Sequence, residues 1–148
     1  MRKVTYNVTI ELGLEELWSF VKDFNNWAPM IKGYQAHELI KADESILVFR
    51  GQVGLISRIM KVHASITEWI EKERVAFSFK GLNEPVSGYG LVRLREDEKG
   101  NGTAISAEMG YEIGGTLGPL ITRLVDPWAR GFAEELVINI KAAVHPRP

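Results

Sequence analysis

Between Tyr34 and Ile113 the sequence reads as strands joined by turns, with apolar and polar residues alternating along several of them, and one long helical pattern follows. Nothing else in the chain constrains the fold as strongly. Period-two alternation sends successive side chains to opposite faces of a sheet. Strands joined by short turns pair antiparallel, and the apolar face they build must be covered. The final helix is the only element long enough to cover it. A curved sheet gripping a helix leaves space between the two, and whether that space is filled or hollow decides what the chain can do.

The first segment already alternates: Val4, Tyr6, Val8 and Ile10 stand against Thr5, Asn7 and Thr9, and Gly13 ends the strand. Leu14, Leu17, Trp18 and Val21 then fall on one side of an amphipathic helix. Glu15 and Glu16 sit in its first turn, where the helix dipole favours anions. Asn25-Asn26 breaks it, and Trp27 to Ile31 reads as a second short helix or a turn. Strands follow over Tyr34–Ala42, Ile46–Val53, Ser57–Trp69, Arg74–Lys80, Ser87–Glu96 and Thr103–Ile113. Gly100-Asn101-Gly102 is the strongest turn signal. After Gly114-Gly115 comes an apolar piece, Leu117–Val125. Asp126-Pro127 then reads as an N-cap with proline at the first helical position, or as a proline inside one longer, kinked helix. The helix runs to about Val144, with Trp128, Phe132, Leu136 and Ile140 recurring every fourth residue. The expectation is a single α+β domain over 1–148. It is a curved antiparallel sheet of about seven strands wrapped around a long C-terminal helix, with one or two short helices after the first strand.

Composition narrows the function. Eighteen Lys and Arg face nineteen Asp and Glu, a formal net charge of -1, so a broad nucleic-acid surface is not expected. With no cysteine there are no disulfides, thiolate metal sites or cysteine nucleophiles. His37, His63 and His145 are scattered, and a zinc site is hard to build from them. No metal or cofactor is expected. The N-terminus has no apolar signal-like region, and no stretch approaches the length of a membrane helix, so the expected location is cytoplasmic.

The order of elements and several motifs resemble the START-like, helix-grip (SRPBCC) superfamily, which includes polyketide cyclases and birch-pollen-allergen-like proteins. Within it the chain is most similar to the G-type subunit of carbon monoxide dehydrogenase and to coenzyme Q-binding carriers. The likeness covers about residues 3–144. It rests on Leu14 to Asp23 with Trp27, on Gly54-Leu55-Ile56, on Gly100-Asn101-Gly102-Thr103, and on Gly114-Gly115 with Leu117-Gly118. Those G-type relatives that associate with membranes carry an apolar C-terminal extension, and this chain stops at Pro148, so anchoring through such a tail is not carried over. The resemblance implies non-catalytic binding or transport of a hydrophobic small molecule (lipid, quinone or polyketide-like) between sheet and helix. It also allows a cyclase or dehydratase, or an accessory protein of an oxidoreductase with transient protein or membrane contact.

The residues supply matching candidates. Phe49, Met60, Phe77, Phe79, Met109 and Tyr111 share the inward parity of their strands, and Trp128 and Phe132 face them from the helix. They line a ligand cavity or fill a core. Gly88, Gly90, Ala64 and Ala107 add little volume on the same faces; Gly90 is taken as cavity-lining, although glycine also permits bending. Arg58 has the parity of Met60 and Val62. It anchors a polar ligand group, or it reaches water or an acid such as Glu68 or Glu108. Tyr6 and Tyr111 each offer a hydroxyl. Trp27 and Met30 border the expected cavity mouth as a gate or a plug, and the apolar run that includes Leu124 is a lid, a docking surface or an entry turn. No catalytic pair emerges; convergence of Arg58, Tyr111 and His37 in one cavity would favour an enzyme.

Overall fold

A computed structural model describes residues 1–53 and 55–144, excluding the side chains of Val53 and Leu124. Gly54 and the tail from His145 to Pro148, both used in the sequence reading, lie outside the described residues. The elements are β1 (Arg2–Ile10), α1 (Leu14–Val21), α2 (Phe24–Trp27) with a 3-10 turn (Ala28–Met30), β2 (Tyr34–Lys41), β3 (Glu44–Val53), β4 (Ile56–Ile70), β5 (Arg74–Gly81), β6 (Val86–Glu96), β7 (Thr103–Ile113) and α3 (Gly118–Ala143). The fold is α+β. Seven strands form one antiparallel sheet in the order β1-β7-β6-β5-β4-β3-β2.

The two ends of this sheet differ in what they hold together. At one end lie the start of β1, the β3–β4 hairpin, the β5–β6 loop and the β7–α3 junction. These segments make up the open end of the molecule. At the other end β1 leads into α1, and Thr103 donates a buried hydrogen bond from Oγ1 to the Leu12 carbonyl at 2.7 Å. The β6–β7 turn closes there with Gly102 at φ 121°, where a Cβ would overlap the Ile10 carbonyl. Glycine is required at that position. The sheet bends at register shifts in β2 and between Ile66 and Glu68 of β4.

Helix α3 starts at the open end and crosses the concave face. It joins three apolar clusters in turn. Val125, Trp128 and Ala129 meet Val4 and Tyr111. Trp128 and Phe132 then meet Leu47, Phe49, Val62 and Ala64. Leu136 and Ile140 meet Ile10, Leu17, Trp18, Leu94 and Ile105. The spacing of four seen in the sequence is this contact stripe.

Of the two readings of Asp126-Pro127, the longer helix is the one observed: α3 is continuous from Gly118, and Pro127 lies inside it. Proline there removes one backbone donor and costs about 3 kcal/mol. The flanking residues offset this, because Asp126 is held by three side chains from two strands and its own helix, and Ala129 is fully buried.

Candidate functional site

Between the concave face and α3 lies a cavity of about 480 Å³. Its walls are almost wholly apolar. The sheet contributes Phe49, Met60, Phe77, Phe79, Met109 and Tyr111, and the helix contributes Trp128 and Phe132, as their parities imply. Gly90, Arg58 and Trp27 also border it. Phe49 stacks nearly parallel on Trp128, with centroids 6.2 Å apart, and Phe132 tilts against both. These rings form one wall of the cavity.

One candidate lies apart from the cavity. Met30 is not part of the wall; it packs beside the cluster around Trp18, and its carbonyl accepts a hydrogen bond from Asn139 Nδ2 at 2.9 Å. Trp27 packs its ring against Phe24 and Phe77. The Leu124 side chain lies outside the described residues.

The small residues act differently from the simplest reading. Cross-strand register sets Phe77 opposite Gly90 and Phe79 opposite Gly88. A Cβ on Gly90 would overlap the Phe77 ring, and one on Gly88 would lie 2.0 Å from the Gly110 carbonyl oxygen and 2.7 Å from Phe79 Cζ. The space at Gly90 is therefore taken by a ring lying against the backbone, and that at Gly88 by the neighbouring strand's backbone and a ring. Ala64 and Ala107 border the hollow with short side chains.

The polar residues sort into separate places. Arg58 is exposed and pairs with Glu84 at 2.6 Å, not with Glu68 or Glu108. Both border the cavity beside the exposed Ile56 and Ile121, which puts the mouth at the open end. Tyr111 is buried, and its hydroxyl donates to Asp126 Oδ1 at 2.9 Å. Arg2 Nη2 and Arg130 Nε donate to Asp126 Oδ2 at 3.1 and 3.3 Å. The hydrogen bond from Arg2, then that from Tyr111, hold the Asp126 carboxyl down to about 2. Burial, then the hydrogen bond to Asp126, push the Tyr111 phenol up to about 12. This cluster pins the first half of α3 to β1 and β7. Sequence reading missed it. Arg2 does carry the inward parity of Val4 and Tyr6, but its partner is 124 residues away.

His37 sits on the surface between the Tyr34 hydroxyl and Asn25 Oδ1, each at 2.7 Å. His63 pairs with Glu44 on the outer face. Arg58, Tyr111 and His37 thus do not converge. Among the described residues no group of His, Asp and Glu is placed to share a metal ion. Tyr6 keeps a free hydroxyl. It borders the cavity opposite Ala107, with no hydrogen-bond partner among the described residues.

Residues 1–145 match the sequence profile of the family described as polyketide cyclase / dehydrase and lipid transport, and the chain belongs to that family. No functionally curated protein matches the sequence. Solved structures share the fold. A conserved protein from Geobacillus kaustophilus superposes with a TM-score of 0.84 at 16% identity, covering 97% of this chain and 95% of that one. A Thermus thermophilus protein gives 0.72 at 16% identity, covering 97% of each chain. One from Chromobacterium violaceum gives 0.69 at 12% identity, covering 99% of this chain and 100% of that one.

Proposed function

We propose that the protein binds and carries an apolar small molecule of the lipid, quinone or polyketide class in the cavity beneath α3, without performing chemistry on it. One observation carries this reading: a cavity of about 480 Å³ with apolar walls and a mouth at the open end. That volume is in the range of small-molecule sites, which are mostly apolar with few polar groups. Leaving it unfilled would cost on the order of 10 kcal/mol at about 24 cal/mol per Å³, the scale of a domain's whole stability. Water finds few partners on such walls. An apolar guest is the occupant the walls favour.

Tyr6 supplies the orienting group, since its hydroxyl is unspent while that of Tyr111 is committed to Asp126. The guest therefore carries a carbonyl, hydroxyl or ether oxygen on an otherwise hydrocarbon body. The family description also covers cyclases and dehydrases. The separation of Arg58, Tyr111 and His37 supports carriage over such chemistry.

A displacement series tests the reading. The fluorescent probe N-phenyl-1-naphthylamine is bound first, then competed off with fatty acids of increasing length. Each added buried methylene is worth about 0.8 kcal/mol, so affinity should rise about fourfold per carbon until the cavity is full. A flat series, or no probe uptake at all, would contradict it.

A further inference from the structure

Exposed apolar side chains are not spread evenly over this molecule. Of the eleven exposed large hydrophobics among the described residues, seven stand at the open end: Met1 just ahead of β1, and six on the segments around the cavity mouth. Leu55 and Ile56 come from the β3–β4 hairpin, Leu82 from the β5–β6 loop, and Leu117, Leu120 and Ile121 from the β7–α3 junction and the first turns of α3. Leu55 is fully exposed, Ile121 is 38% exposed, and the other four are each more than half exposed. Three chain segments thus contribute to one end. Local packing does not require this, since none of the six belongs to a buried core cluster.

Charge is polarised in the same direction. Arg50, Arg58, Lys61, Lys80 and Arg123 lie towards the open end, against Glu84 and Glu112. Glu84 is taken by Arg58. Arg50, Lys61, Lys80 and Arg123 form no ion pair among the described residues. The turns of the opposite end are mainly acidic: Glu15 and Glu16, Asp43 and Glu44, Glu71 and Glu73, Asp97 and Glu98, with Lys41, Lys72, Arg74 and Lys99 among them. A chain of net charge -1 therefore presents one cationic, apolar end and one acidic end.

We infer that the open end docks onto the surface of an anionic lipid bilayer, with the six apolar side chains entering the interface and the four unpaired cations meeting lipid phosphates. An apolar rim flanked by cations matches an anionic interface on both counts. The acidic end is repelled, so the approaching molecule turns its mouth to the bilayer. This deepens the carrier reading and rests on it for its purpose: a guest leaves the cavity over apolar side chains directly into lipid and never crosses water.

Sedimentation with vesicles tests the inference, using pure phosphatidylcholine and phosphatidylcholine with about a third phosphatidylglycerol. The protein should bind the anionic vesicles at low salt and at least tenfold more weakly to the neutral ones or at high salt. Leu55→Glu and Leu120→Glu should each lower anionic binding at least tenfold. Their thermal midpoints and their uptake of N-phenyl-1-naphthylamine in solution should stay as in the parent. Equal sedimentation of parent and variants overturns the inference, as does absence of binding to anionic vesicles. A concentration-dependent dimer abolished by Leu120→Glu overturns it too, because the rim would then be covered by a second copy. Failure of the probe to enter parent and variants alike strikes the carrier reading, while the vesicle arms still decide the docking.

Discussion

Replacing Ala107 by tryptophan separates a hollow interior from a filled one by the sign of a stability change. Ala107 is a half-buried β7 residue between Tyr6 of β1 and Val92 of β6, and it borders the cavity. If the space in front of it is hollow, the indole enters it and buries up to about 150–250 Å². At about 25 cal/mol per Å² that is a gross gain of roughly 4–6 kcal/mol. Part is lost because the unfolded chain already shields some surface, and about 1 kcal/mol goes to fixing the side chain. A net stabilisation of about 1–3 kcal/mol remains. If instead the interior is packed to native density, the added ring forces its neighbours off their rotamers and costs about 1–3 kcal/mol. Urea unfolding reads the difference as a rise or fall of the midpoint at unchanged slope. The same variant should lose uptake of N-phenyl-1-naphthylamine, since the ring takes the guest's place. A variant destabilised by about 2 kcal/mol, or one that still takes up the probe at the parent's affinity, would refute the reasoning.

Other outcomes follow from single groups. Tyr6→Phe should weaken binding of an oxygen-bearing guest about fivefold to tenfold, the worth of one hydrogen bond near 1 kcal/mol, and leave a pure hydrocarbon's affinity unchanged in the same titration. Gly90→Ala should destabilise by about 1–3 kcal/mol in urea, because the methyl displaces the Phe77 ring. Asp126, held at about 2, contributes stability that is present above its ordinary carboxylate range and lost as pH falls towards 2. Tyr111, raised to about 12, contributes stability that is present below pH 10 and lost between 10 and 12. Asp126→Asn should therefore flatten the acid limb of a stability–pH curve and Tyr111→Phe the alkaline limb, and limbs unchanged in both variants would remove that cluster from the account of stability.

The parts of this molecule legible in the sequence are those governed by a local period. A one-residue slip would turn a strand's whole apolar set to solvent, so parity places Phe77, Phe79, Met109 and Tyr111 on the inner face. The fourfold repeat from Trp128 to Ile140 likewise has only one sheet to pack on. What parity does not give is long-range pairing. Arg58 finds Glu84 across a loop 26 residues on, and Asp126 finds Arg2 at the far end of the chain. Asp126-Pro127 has the residue types of a helix start, and only those distant partners show why the helix runs through it. Gly88 and Gly90 read as open volume or as points of bending in the sequence, and register sets aromatic rings opposite them. Met30 follows α1, which suggests the mouth, whereas the mouth lies at the end where α3 begins.

Native mass spectrometry of the gently purified protein tests most directly whether the space under α3 holds a guest. A retained apolar adduct, displaced when excess fatty acid or prenylquinone is added and absent from Ala107→Trp, is the predicted result. A bare chain in every preparation that also takes up neither compound would contradict it.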